Sequence, residues 1–168
     1  IPGRLTYWKG QKIFIEALKL LSEKESIQSF QGIIIGNEQG RNVYKKQLVG
    51  LVEQYRLNKF IKFIENPEEM PVVYRIANLI CSCSCEPEAF GRVSVEAQSM
   101  EIPIIASNIG GSKETIMNNK TGFLFENKSP QSLADTITTV MEKDYNSLKS
   151  IGFEGRQNVM KKFNVDKM

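Results

Sequence analysis

Leu79-Ile80-Cys81-Ser82-Cys83-Ser84-Cys85-Glu86-Pro87-Glu88-Ala89-Phe90-Gly91-Arg92-Val93-Ser94-Val95-Glu96 decides how this chain folds. The segment opens as a short apolar strand over residues 79–83, turns at Phe90-Gly91, and continues as a helix over about 92–100. A strand that hands over to a helix through a glycine turn presents free backbone N–H groups to an anion. Two carboxylates, Glu88 and Glu96, flank the turn and can grip hydroxyls. The combination suits a ligand that carries both phosphate and sugar.

The same alternation extends in both directions. Upstream, Ile13, Phe14, Ala17, Leu18 and Leu21 repeat at helical spacing, so residues 11–24 form an amphipathic helix. Gly32-Ile33-Ile34-Ile35-Gly36 is a buried strand, and Tyr44, Leu48, Leu51, Val52 and Tyr55 mark a second helix. Phe60-Ile61-Lys62-Phe63-Ile64 is a strand broken by Asn66-Pro67, and a helix over 69–77 tolerates Pro71 only in its first turn. Downstream, Pro103-Ile104-Ile105-Ala106 is a strand closed by a Gly110-Gly111 loop, and Gly122-Phe123-Leu124-Phe125 is the last strand. Ser129 then caps a helix with Pro130 at its first position, and residues 144–168 read as one or two further helices. The strands are continuous apolar runs, which need cover on both faces. The expected fold class is therefore α/β, a doubly wound parallel sheet that binds ligands beyond the carboxyl ends of its strands. The loops at Gly36, at 85–91 and at 107–111 should share that edge.

With 168 residues, 41% hydrophobic and 24% charged, the chain has the composition of one soluble globular domain. A net charge of +3 with no basic run argues against a nucleic-acid partner, and no apolar run approaches the ~20 residues of a membrane span. There is no histidine, so chemistry must run on carboxylates, cations and backbone dipoles. Cys81, Cys83 and Cys85 alternate along one strand, poorly spaced for a disulfide or a zinc site; they read as reduced, mostly buried thiols in a reducing cytoplasm. Ile1-Pro2-Gly3-Arg4 looks like the end of a strand that starts earlier, so the chain is expected to be part of something longer.

These residues resemble a known family. Glu88, Phe90, Gly91 and Glu96 match the Glu-x7-Glu signature, with Phe-Gly inside it, of the retaining glycosyltransferases of family 4, the group 1 class. Gly3-Arg4-Leu5 with Lys9-Gly10 is similar to that family's opening loop, and Gly36 ends the second strand as there. Ile102-Pro103-Ile104-Ile105-Ala106, Gly110-Gly111, Glu114 and Thr121-Gly122-Phe123-Leu124 follow in the family's order. The resemblance implies a Rossmann-like C-terminal, donor-binding domain of a two-domain GT-B enzyme. It also implies that an N-terminal acceptor domain lies outside this chain. Its activity would be transfer of a hexose from a nucleoside diphosphate sugar to a glycan or lipid-linked acceptor, in bacterial lipopolysaccharide or capsule assembly. It would need no cofactor or metal, and would sit in the cytoplasm with at most peripheral membrane contact.

By the same resemblance, Glu96 holds the nucleotide's ribose hydroxyls and Glu88 the transferred sugar near its anomeric carbon. Gly91, Arg92 and Val93, with Phe90 beside them, offer main-chain amides to the sugar and the distal phosphate. Arg4 and Lys9, next to Gly3, neutralise the diphosphate, while Gly110 and Gly111 open space for the sugar. Glu65-Asn66 stands where the family often has a glycine that meets the base, so uridine versus guanosine stays open. Glu101 replaces a usual glycine after the helix, at a cost in C-cap stability. The runner-up is a binding module that holds a nucleotide or sugar phosphate without turnover. A glycosidase pair fails because one Glu in a loop and one on the ribose side do not face each other across a bond. A dehydrogenase fails for want of a Gly-x-Gly-x-x-Gly run.

Overall fold

The computed structural model describes residues 1–163 except positions 26, 28, 39, 41, 66 and 68. Elements alternate as expected: α1 (Gln11–Ser22), β1 (Gly32–Ile35), α2 (Asn42–Gln54), β2 (Ile61–Ile64), α3 (Met70–Ile76), β3 (Ile80–Ser82) and α4 (Arg92–Ser99). Then come β4 (Ile104–Ser107), α5 (Ser112–Thr115), β5 (Phe123–Phe125), α6 (Pro130–Met141) and α7 (Tyr145–Lys162). Two short pieces were not foreseen: a 3-10 turn at Tyr7–Lys9, and α5 just after Gly110-Gly111. Both are too short to carry a periodic signal. Of the tail, α7 is a single helix, and residues 164–168 lie outside the described residues, as does Asn66.

Every strand pairing among the described residues is parallel. β1 pairs with β2, with Gly32 opposite Ile61, and β3-β4-β5 form a second ladder, with Cys81 opposite Ile105 and Ala106 opposite Leu124. The opening residues lie between the two ladders. Ile35 N donates to Ile1 O (3.0 Å), Gly3 N to Ile35 O (2.9 Å) and Leu5 N to Asn37 O (2.9 Å), while Cys85 N on the far side donates to Trp8 O (2.7 Å).

Cover on both faces is visible in how each strand divides its side chains. Ile105 and Cys81 join the core under α1 and α6, whereas Ile104, Ala106 and Ile80 join a second cluster with Tyr74 and Ala97 of α3 and α4. Adjacent residues of a strand point to opposite faces, so an apolar pair such as Ile104-Ile105 demands two covered faces. That is the doubly wound arrangement expected from the sequence. Cys81 and Cys83 pack inside the first core and Cys85 is half-buried, all three as free thiols. At the outer edge of β5, Leu124 N donates to Asn118 Oδ1 and Glu126 N to Ser132 Oγ, each at 2.9 Å, so side chains cap an edge that could otherwise recruit another strand.

Helix ends follow their sequence signals. Ser129 Oγ accepts from Ser132 N (3.1 Å) at the start of α6, and Asp144 Oδ1 accepts from Ser147 N (3.0 Å) at the start of α7. At the end of α4, Glu101 adopts φ +61°, the conformation glycine takes most easily. Ile102 N reaches Ala97 O and Glu101 N reaches Gln98 O, both at 3.0 Å, which completes the C-terminal cap in spite of the side chain.

Candidate active site

The loop joining β3 to α4 is held from every side. Cys85 N donates to Trp8 O (2.7 Å), Gly111 N to Glu88 O (2.8 Å), Asn127 Nδ2 to Cys85 O (3.2 Å) and Ser107 Oγ to Ser84 O (2.7 Å). These partners come from the turn before α1, from the two loops after β4 and β5, and from β4 itself. The loop therefore stands on the carboxyl edge of the sheet as a fixed platform.

The loop's turn depends on Gly91. Its φ of +70° is left-handed, and it caps α4 with no side-chain hydrogen bond to the helix amides. The first amides of α4, at Arg92 and Val93, have no carbonyl one turn earlier to bond. With the helix dipole behind them they favour an anion. Gly110 and Gly111 sit beneath this turn. A Cβ on Gly110 would lie 2.8 Å from Glu88 N, and one on Gly111 would lie 2.6 Å from Phe90 C. The missing side chains are thus used for backbone-to-backbone contact with the Glu88–Phe90 stretch. The open space that the two glycines were expected to provide is filled by that stretch.

A cationic cluster forms beside the platform. Lys9 Nζ lies 2.7 Å from Glu88 Oε1, and the two side chains are only 16% and 19% exposed. The same ammonium sits 4.9 Å from the centre of the Trp8 ring, and the Arg4 guanidinium lies 5.4 Å from that ring. Gly3 lies along the Lys9 stem, and Gln11 Nε2 holds Arg4 O at 2.8 Å. Gly10 keeps this turn against the sheet: a Cβ there would be 1.8 Å from Cys83 O. Arg4, Lys9 and Glu88, far apart in sequence, thus share one corner. Ser84 Oγ also donates to Glu88 Oε1.

Glu96 lies in the second turn of α4. Its Oε2 accepts from Tyr74 Oη at 2.7 Å and its Oε1 from Arg92 Nη2 at 3.2 Å, leaving the side chain 40% exposed. Burial first, and the neighbouring Glu96 second, push the Tyr74 phenol far above its ordinary pKa, so it is a donor at any working pH. The exposed Arg92 side chain makes a weak i,i+4 pair with Glu96, and its main-chain amide stands at the turn. Val93 packs on the second core, and Phe90 meets Phe163 edge-on with ring centres 5.3 Å apart.

Four contributors went unread in the sequence: Trp8, Ser84, Ser107 and Tyr74. Each acts through a partner brought close only by folding. Ser84 alone had a faint signal, as a hydroxyl at the carboxyl end of an otherwise apolar strand. A groove of about 440 Å³ lies between β5 and α6, and its Asn118, Ser129 and Ser132 are occupied in capping.

Known proteins carry the same framework. The chain is 31% identical over 144 residues to D-inositol 3-phosphate glycosyltransferase of Corynebacterium glutamicum (strain R), covering 84% of this chain and 34% of that one. It is 28% identical over 161 residues to the capsular polysaccharide biosynthesis glycosyltransferase CapM of Staphylococcus aureus, covering 96% and 40%. The chain therefore spans between a third and two fifths of the length of these relatives. Among solved structures, Anabaena Alr3699/HepE in complex with UDP-glucose superposes with a TM-score of 0.89 at 30% identity, covering 98% of this chain and 44% of that one. The C-terminal domain of the glycosyl transferase group 1 family protein LpcC from Francisella tularensis superposes with a TM-score of 0.83 at 29% identity, covering 98% and 89%. The family model for glycosyl transferases group 1 matches residues 1–158. With that match on the Rossmann-like fold of a C-terminal GT-B half, the chain belongs to the group 1 glycosyl transferases.

Proposed function

We propose that this chain is the donor-binding domain of a retaining glycosyltransferase that moves a hexose from a nucleoside diphosphate sugar to a glycan or lipid-linked acceptor. The reading is carried by one observation: Lys9 and Glu88 meet at 2.7 Å beside the uncapped start of α4, on the same helix that carries Glu96. A ligand laid along that edge meets cations and amides at its phosphates. It meets one carboxylate at each of its two sugars. Glu96, held by Tyr74, takes the ribose, and Glu88 takes the transferred sugar.

Arg4 and Lys9 are the proposed charge carriers, which makes the transfer independent of metal. As the bond from the anomeric carbon to the diphosphate oxygen breaks, negative charge gathers on the leaving group; each preorganised cation or donor there is worth about 10²–10³ in rate. The acceptor oxygen bonds to the same face, and its proton passes to the leaving phosphate. Uridine is the proposed base, because the Anabaena relative was solved with UDP-glucose. The polysaccharide role is proposed from the likeness to CapM, a capsular polysaccharide biosynthesis glycosyltransferase, with lipopolysaccharide assembly as the alternative setting. We place the enzyme in the cytoplasm, where three unpaired thiols persist. None of the described helices is long and apolar enough to cross a membrane. The acceptor site is assigned to an N-terminal domain outside this chain, so the 168-residue chain should bind nucleotide weakly without turnover.

Titration calorimetry with UDP, GDP and their sugar conjugates tests the assignment. Glu96→Ala should weaken UDP itself by about thirtyfold, the equivalent of one hydrogen bond to a charged group. Glu88→Ala should leave UDP nearly unchanged while lowering transfer by the full-length enzyme. Equal losses of UDP affinity in both variants would show that the two carboxylates are not divided between ribose and sugar.

A further inference from the structure

Glu88 Oε1 accepts from two donors of opposite character. Lys9 arrives on a long flexible stem from a 3-10 turn, its ammonium over the Trp8 ring. Ser84 is short, buried and fixed to the end of β3, and its own carbonyl accepts from Ser107 Oγ on β4 at 2.7 Å. A diphosphate offers Lys9 more negative charge than one carboxylate does. When Lys9 turns to the phosphates, Glu88 loses its cation and gains an anionic neighbour, and repulsion would swing the carboxylate aside.

We infer that Ser84, braced by Ser107, is the positioning residue that keeps Glu88 aimed at the transferred sugar after Lys9 has left it. The brace is suited to this because both side chains are short: Ser107 Oγ holds the Ser84 main-chain carbonyl in place, and Ser84 Oγ donates to Glu88 Oε1. Like charges drive Glu88 from the phosphates, and a neutral donor opposes that movement without competing for them. The inference rests on the reading of Glu88 as a ligand of sugar hydroxyls.

The test uses the 168-residue chain and two probes, UDP and UDP-glucose, by calorimetry. In the wild type, UDP-glucose should bind more tightly than UDP. Ser84→Ala keeps its UDP affinity within about twofold but loses roughly tenfold or more for UDP-glucose, as expected for one hydrogen bond to a charged group. Ser84→Thr, which keeps the hydroxyl, restores it. Two results overturn the brace alone: a Ser84→Ala chain with the full preference for UDP-glucose while Glu88→Ala has lost it, or a Ser84→Ala chain that loses both ligands equally. A wild type that binds the two probes equally, or a Glu88→Ala chain that keeps the preference, overturns the reading of Glu88 and the brace with it.

Discussion

Tyr74→Phe isolates the rigid support that Glu96 has among the described residues. The phenol is 2% exposed and donates to Glu96 Oε2 at 2.7 Å, whereas the other support, Arg92, has a side chain 84% exposed. An exposed i,i+4 ion pair contributes only ~0.3–0.5 kcal/mol and does not fix geometry. A hydrogen bond to a charged group is worth ~1.5–3 kcal/mol when its loss leaves the charge dry. Here Glu96 is 40% exposed, so water replaces the phenol and the stability cost falls to about 1 kcal/mol. For a chain of this length that lowers the thermal midpoint by roughly 2–4 °C. Phenylalanine leaves no buried polar atom behind, so the fold survives and binding can be measured.

The larger effect should be on UDP. A carboxylate no longer held must be ordered by the ligand, which costs about threefold to tenfold in affinity. The assay is calorimetry on Tyr74→Phe, Glu96→Ala and the double variant. The double variant should bind no worse than Glu96→Ala, because Tyr74 acts only through Glu96. The reasoning fails if Tyr74→Phe binds UDP like the wild type while Glu96→Ala does not, or if the two losses simply add.

Three further outcomes follow from the fold. Glu101→Gly should raise stability by about 0.5–1 kcal/mol, since it relieves a left-handed φ of +61° that completes the α4 cap, minus the weak Arg156 pair at 3.8 Å; a thermal or urea midpoint that falls refutes this. Burial pushes Cys81 up to about 11 and raises Cys83 as well, so the folded chain holds protons that the unfolded chain releases near its ordinary thiol pKa of about 9. Stability should therefore be full below pH ~9 and decline between about 9 and 11, because the native state binds more protons there. A Cys81→Ala chain should show a shallower alkaline decline. At pH 8 a thiol reagent should label the half-buried Cys85 before the other two, and fast labelling of Cys81 or Cys83 would contradict the packing.

The strand order of events along the chain was legible because burial on both faces leaves a distinctive mark. Runs such as Ile33-Ile34-Ile35 and Ile104-Ile105-Ala106 can only belong to a sheet covered twice, and helical repeats such as Ile13, Phe14, Ala17, Leu18 and Leu21 supply the cover. Gly91 was equally readable, since a turn into α4 with φ +70° needs a residue without a side chain. Gly110 and Gly111 were harder: a glycine reports that something comes close, but not whether it is a ligand or a neighbouring backbone. In this chain it is the backbone of 88–90.

Local pattern, then, determined which segments are strands and helices, that the strands run parallel, and that Glu88 and Glu96 flank one helix start. Those properties leave patterns along the chain, local for each element and in the alternation of strands and helices for the sheet, and a linear sequence records them. Folding alone decided that Lys9 meets Glu88 across 79 positions, that Tyr74 reaches Glu96 across 22, and that Ser107 steadies Ser84 across 23. Such contacts are set by sheet register and by the packing of α3 against α4, and no short-range pattern encodes a distance between residues whose separation only the closed core defines.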